Sequence, residues 1–310
     1  MSLEIDRVTK RYGATLALDA IEFAVPAGQI FGFLGANGAG KTTTMRICLG
    51  VIPADSGEIR WGSRPALDLP RRIWGYLPEE RGLYPRLTVL DQLVYFASLY
   101  GENPHEARRE ARNWLARFRI SELEGRRAEE LSKGNQQKVQ FIAAILHEPE
   151  ILLMDEPFTG LDPVNVGLLK EAFDELRERG RTIIFSTHQM ELAEALCESV
   201  AIIDRGRVVA GGSVRSLKQA AGRRTARLAF DDAGGAAWLE GLVGVSVIRF
   251  GADYTDVQLA DDADPPAVLR QILSRGAPVT RFELREPTLE ALFIDLVGRP
   301  AEEPAETLAP

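Results

Sequence analysis

The stretch Gly35-Ala36-Asn37-Gly38-Ala39-Gly40-Lys41-Thr42 follows a short apolar run, Gln29-Ile30-Phe31-Gly32-Phe33-Leu34. Its spacing, G-x-x-x-x-G-K-[ST], is that of a phosphate-binding loop. Glycines there let successive backbone N–H groups turn inward around phosphate oxygens. The lysine sets a point charge against β/γ-phosphates, the threonine hydroxyl can ligate Mg2+, and the following helix aims its positive dipole end at the same anion. Gly35, Asn37, Gly38, Ala39, Gly40, Lys41, Thr42 and Thr43 are therefore candidate nucleotide-binding residues. A second apolar run, Ile151-Leu152-Leu153-Met154, ends in Asp155-Glu156. Asp155 could hold Mg2+ through water, while Glu156 could orient or deprotonate an attacking water. His188 follows Phe185-Ser186-Thr187, beyond a strand's carboxyl end, where open α/β sheets place ligands. It could contact a γ-phosphate and hold the water. Tyr12 is either a platform for adenine or an aromatic on a surface turn. Lys41, Glu156 and His188 are the candidate catalytic residues for MgATP hydrolysis, with Thr42 and Asp155 toward the metal.

These residues need a scaffold. Residues 2–25 alternate apolar and polar positions around Arg11-Tyr12-Gly13-Ala14, the pattern of an antiparallel hairpin. The runs at 29–34, 151–154 and 182–185 read as strands buried on both faces of a parallel sheet. Lys41 to Leu49, Thr88 to about Ile120, and Asp162-Pro163 to about Arg179 read as helical. Residues 201–204 and 207–210 flank Arg205-Gly206 as a final hairpin. Beyond a composition shift near Gly211-Gly212 and Ala220-Ala221-Gly222, strand-like 225–230, a helix over 236–242, strands 245–250 and 255–259, a helix over 266–275 and a strand over 279–284 give the order β-α-β-β-α-β. That is a ferredoxin-like split unit. A last amphipathic helix, Thr288–Val297, precedes a Pro/Glu/Ala tail expected to be disordered. The expected fold class is α/β: a P-loop core with a mostly parallel sheet, an N-terminal antiparallel β subdomain, an α-helical subdomain at about 88–130, and a small C-terminal α+β domain. The expected divisions are 1–220, 221–298 and a tail at 299–310.

The bulk properties narrow the field. With 310 residues, 45% hydrophobic and 26% charged, the chain fits a large soluble domain plus a small one. A net charge of −8 argues against a general nucleic-acid binder. No apolar run approaches the ~18–20 residues that span a bilayer. The start, Met1 to Asp6, lacks a signal-peptide pattern. Cys48 and Cys197 have neither disulfide-framework nor metal spacing.

Between the loop and the acidic strand lies Leu131-Ser132-Lys133-Gly134-Asn135-Gln136-Gln137-Lys138. With Tyr12, the 35–42 loop, Asp155-Glu156, Leu161-Asp162-Pro163 and His188 in this order, residues 2–215 resemble the ATP-binding subunits of ABC transporters. The resemblance implies ATP and Mg2+ as ligands and two protomers, identical or close paralogues, closing face to face on ATP. Ser132 and Gly134, with Asn135 beside them, would meet the γ-phosphate held by the other protomer. Asp162 would sit in a loop crossing that interface, Glu156 would be the catalytic base, and residues 88–130 would touch a separate transmembrane permease. The chain would then work at the cytoplasmic side of the inner membrane.

Three positions depart from the common pattern. Glu79 replaces the glutamine that usually follows Tyr76-Leu77-Pro78, and Lys133 and Asn135 replace glycine and glutamine. A carboxylate at Glu79 could approach Mg2+ directly and adds negative charge near the triphosphate. This combination, with Glu286-Pro287-Thr288-Leu289-Glu290-Ala291-Leu292-Phe293 near the end, resembles an exporter-type branch that includes sodium-extrusion ATPases, of which sodium is one substrate among many. The small C-terminal domain is either a dimer-stabilising appendage or a regulator of dimer closure. The competing class is a soluble ABC ATPase of translation or DNA maintenance. One phosphate loop and no long heptad insert weigh against it, as the missing Asn-Lys-x-Asp weighs against a GTPase.

Overall fold

The computed structural model describes residues 1–80, 82–220, 224–231, 237–251, 253–260, 263–275 and 278–298. Strands β1 (Ser2–Tyr12) and β2 (Thr15–Pro26) form the expected hairpin, and β4 (Ser56–Trp61) and β5 (Arg64–Pro65) complete an antiparallel sheet in the order β2-β1-β4-β5. A six-stranded sheet carries β3 (Ile30–Leu34), β6 (Trp74–Leu77), β7 (Ile151–Asp155), β8 (Thr182–Thr187), β9 (Ser199–Asp204) and β10 (Arg207–Ser213). Its order is β10-β9-β3-β8-β7-β6, parallel except for the β9–β10 hairpin. Strands β3, β7 and β8 are buried at every residue, as their unbroken apolar runs require. Strand β3 thus sits in the sheet between partners more than 140 residues later in the chain.

Helix α1 (Lys41–Cys48) follows the glycine-rich loop. The helical stretch expected over 88–120 divides into α2 (Val89–Leu99) and α3 (Pro104–Arg117). The break has a local cause. Gly101 takes φ +89°, the Asn103 side chain caps the next helix by accepting from the His105 N–H at 2.9 Å, and Pro104 occupies its first turn. Helices α4 (Lys133–Ile145), α5 (Pro163–Glu178) and α6 (Met190–Leu196) complete this unit. A run of packed aromatic rings links them: Trp114, Phe118 and Phe141, then Phe173, then Phe158 and Phe185. The run leads from α3 and α4 through α5 to the turn after β7 and to β8.

The chain divides into compact units at Val214/Arg215, within α7 (Val214–Ala220). The second unit contains β11 (Arg224–Phe230), β12 (Val245–Phe250), β13 (Thr255–Leu259), α8 (Pro265–Ser274) and β14 (Val279–Arg285), and α9 (Leu289–Val297) begins in it. Its strands are antiparallel in the order β12-β13-β11-β14, the arrangement of a ferredoxin-like split unit. Ala226, Leu228, Val257, Leu259, Val268 and Ile272 form its core. The helix expected over 236–242 is only a 3-10 turn, Ala237–Gly241. Gly241 ends the turn and Gly244, at φ +77°, takes a left-handed conformation that a continuing helix does not allow. Ala236 and the tail at 299–310 lie outside the described residues. Among the described residues no helix is long and apolar enough to cross a membrane.

Candidate active site

The loop after β3 is shaped by steric necessity. A Cβ on Gly35 would lie 2.3 Å from the Ile203 carbonyl oxygen, and Gly40 takes φ +114°. Gly40 is also the N-cap of α1 and supplies no side-chain cap, and the first helical turn holds no acidic residue. The leading N–H groups of α1 are therefore left for an anion. Lys41 folds back over the loop. Its Nζ donates to the Gly35 and Ala36 carbonyls at 2.7 and 3.2 Å and lies 3.5 Å from Glu156 Oε1. Burial holds the Lys41 ammonium below its ordinary range, against the opposing pull of Glu156 and Asp155.

The acidic corner stands at the carboxyl ends of β7 and β8. Glu156 adopts φ +48°, unusual for a residue with a Cβ. Its N–H donates to Ser186 Oγ at 2.9 Å, and Ser186 Oγ donates to Asp155 Oδ1 at 2.5 Å. Asp155 is 1% exposed, yet its Oδ2 has no hydrogen-bond partner among the described residues. His188 Nδ1 lies 3.0 Å from Glu156 Oε1, and Thr159 Oγ1 donates to Oε2 at 3.4 Å.

The loop and the two acids surround one cavity of about 310 Å3, lined by Ala17, Asn37, Gly38, Gly40, Lys41, Thr42, Thr43, Glu79, Asp155 and Glu156; His188 touches Glu156 but is not part of that lining. Gly35 and Ala39 are buried behind it. Glu79, at the rim, has its carboxyl raised above the usual range by partial desolvation and by the charges of Asp155 and Glu156. The donor set toward a metal is hard oxygen: the Thr42 hydroxyl, Asp155 and Glu79. An orphaned, buried Asp155 Oδ2 fits a cation or its water. Among the described residues no three His, Cys, Asp or Glu side chains converge on one point. That suits Mg2+, which keeps waters and phosphate oxygens rather than filling its shell from protein.

Other expected residues lie elsewhere. Tyr12 is 49% exposed in the β1–β2 turn, with Lys10 Nζ 5.7 Å from its ring centre. Ser132 caps α4 by accepting from the Asn135 N–H at 3.3 Å, and Asp162 caps α5 by accepting from the Asn165 N–H at 3.0 Å. Ser132 and Asp162 are both exposed. That bond and the N–H of Val164 hold the Asp162 carboxyl low. A Cβ on Gly134 would sit 3.6 Å from the Gly160 carbonyl, so the start of α4 and the turn before α5 are neighbours. Tyr12, Ser132, Gly134, Asn135 and Asp162 do not line the cavity.

An ABC transporter ATP-binding protein of Bacillus subtilis is 45% identical over 297 residues, which cover 96% of this chain and 98% of the relative. The chain belongs to the ABC transporter ATP-binding proteins. The ABC transporter family model matches residues 18–159, and the model of the DrrA1-3-like ATP-binding protein C-terminal domain matches residues 212–297. A fluoroquinolones export ATP-binding protein of Mycobacterium tuberculosis is 35% identical over 303 residues, 96% of this chain and 93% of its own. A solved structure of an ABC transporter ATP-binding subunit superposes with a TM-score of 0.67 at 34% identity, covering 72% of this chain and 94% of that one. The chain is an ATP-hydrolysing transporter subunit. In this ABC protein the sequence reading missed Ser186 and Thr159, which touch the two acids. The one available signal was Ser186's place two residues before His188, opposite Asp155 across the sheet.

Proposed function

We propose that this subunit hydrolyses MgATP in two composite sites between paired protomers and thereby drives a separate membrane permease in export, from the cytoplasmic face. One observation carries the reading. The loop and the acids meet in one cavity, with His188 held against Glu156 at 3.0 Å, while Ser132 and Asp162 stand exposed outside it. A single chain therefore holds half a site facing in and half facing out. The exposed N-terminus of α4 offers N–H donors to an anion that a second copy presents.

On ATP binding, Lys41 turns from the Gly35 and Ala36 carbonyls toward the β/γ-phosphates, which take over its charge compensation. Thr42, Asp155 and Glu79 would hold Mg2+, which when bound neutralises phosphate charge. Glu156 accepts the proton of the attacking water. His188, donating from Nδ1, fixes the Glu156 carboxylate and stabilises its charge. Closure gathers donors from both chains on the γ-phosphate, and hydrolysis removes that bridge. Tyr84 and Tyr95, 47% and 43% exposed, cluster with Phe96, Tyr84 stacked on it and edge-on to Tyr95, beside a cavity of about 210 Å3 lined in part by Tyr76, Leu83, Tyr100 and His147. This aromatic surface supports docking of the permease here. Export rests on relatives such as the fluoroquinolones export protein.

Complementation tests the shared site. Lys41→Ala and Ser132→Arg chains should each be inactive. Mixed one to one, half the pairs carry one intact site of two, so about a quarter of wild-type ATPase activity should return. No recovery on mixing sinks the composite-site reading.

A further inference from the structure

We infer that Ser186 is a positioning residue that sets Asp155 for the cation and Glu156 for the water through a single hydroxyl. The inference rests on the cation role proposed for Asp155. Ser186 lies directly opposite Asp155 in the parallel register of β7 and β8 and is fully buried. Its Oγ accepts the Glu156 N–H at 2.9 Å and gives its own proton to Asp155 Oδ1 at 2.5 Å. The direction is forced. An amide N–H can only donate and an ionised carboxylate can only accept, so the hydroxyl proton must point at Asp155. A bond of this length to a charged acceptor is of the strong kind.

Two consequences follow from that one group. The oxygens of Asp155 become unequal: Oδ1 is taken, and Oδ2 is left buried beside the cavity, without a partner among the described residues. Buried polar atoms are seldom left unpaired, and this one belongs to a residue lining the phosphate-loop cavity beside Lys41 and Thr42, which places it for a ligand there. Glu156, meanwhile, is held at φ +48° by the bond from its N–H. That turn brings its carboxylate back to Lys41 and His188. Core packing does not call for a hydroxyl at 186. The preceding residues of β8, Ile183, Ile184 and Phe185, are buried and apolar, and alanine would pack in the same place. The hydroxyl serves the acids.

The test is calorimetric titration of the full chain with ATP, once in excess EDTA and once in saturating Mg2+, with single-turnover hydrolysis alongside. Ser186→Ala should keep its EDTA affinity within about threefold of wild type. It should lose about tenfold of the gain that Mg2+ confers, the size of one lost hydrogen bond to a charged group. Hydrolysis at saturating Mg2+ should slow at least about tenfold, and Ser186→Thr, which keeps the hydroxyl, should recover most of both. Asp155→Asn separates the layers of the argument. If it leaves the Mg2+ gain intact, the reading of Asp155 fails. If it abolishes the gain while Ser186→Ala matches wild type, the Ser186 inference alone fails. Equal losses with and without Mg2+ in Ser186→Ala, or a threonine variant no better than alanine, would mark a merely structural residue and overturn the inference.

Discussion

Glu156→Gln separates two effects of one carboxylate. Glu156 is 7% exposed, with Oε1 3.5 Å from Lys41 Nζ and 3.0 Å from His188 Nδ1. At 3.5 Å, the attraction to Lys41 is about 5 kcal/mol at an effective dielectric of about 20, before desolvation. Desolvation of both groups offsets most of this. ATP must draw Lys41 out of that pair, whereas in the glutamine variant it competes only with the Gly35 and Ala36 carbonyls. Releasing about 1–2 kcal/mol should tighten ATP binding roughly five- to thirtyfold. Loss of the general base should meanwhile slow turnover by about 10²–10⁴. Fluorescent-ATP titration and single-turnover phosphate release measure the two effects separately, and the variant should accumulate as an ATP-bound dimer on size exclusion. ATP binding weaker than wild type would refute the competition argument. Turnover within tenfold of wild type would refute the base.

Phe173→Ala should destabilise the first unit by about 3–5 kcal/mol in urea unfolding, because this fully buried ring packs on Phe141, Phe158 and Phe185 together. His147 is 2% exposed, stacks on Tyr100 at 3.7 Å and has its pKa lowered, first by burial. The unfolded chain therefore binds this proton more readily. Stability from this group is complete above about pH 6.5 and declines as pH falls through the lower native value, so His147→Phe should flatten that acid limb of a melting-temperature profile. Tyr84→Ala with Tyr95→Ala should leave ATPase activity of the isolated subunit near wild type but reduce co-purification with the permease and transport in vesicles. Unchanged co-purification would move the docking surface elsewhere.

Much of this was legible because the strongest signals are local. Strands β3, β7 and β8 announce themselves as apolar runs, and β13 falls within the expected bounds because its alternation is clean. The glycine-rich loop needs its residue types in one order, so spacing alone exposes it. Strand β6 has four residues, too few to show a period, and it was read only as the approach to Glu79. The division of α2 from α3 was passed over although Gly101 and Asn103-Pro104 interrupt the apolar positions there, a local stop and start signal. Ser186 was overlooked for another reason. Its two bonds join residues 30 and 31 positions apart, and only the β7–β8 register brings them together. The resting partners of Lys41 are backbone carbonyls, which no residue type encodes.

The walls of the phosphate loop come from far down the chain. Ile203 closes on Gly35, the Gly206 N–H donates to the Ala39 carbonyl at 2.9 Å, and its carbonyl receives the Asp19 N–H at 2.8 Å. During synthesis the lysine and its glycines therefore leave the ribosome well before the β9–β10 segment that shapes them. Contacts this distant form late. A nascent chain stopped before residue 199 carries the whole loop sequence without the β9–β10 part of its enclosure. Capture of nucleotide thus becomes possible only when the first unit is complete, so that ATP can serve the newborn subunit as a folding ligand as well as a fuel.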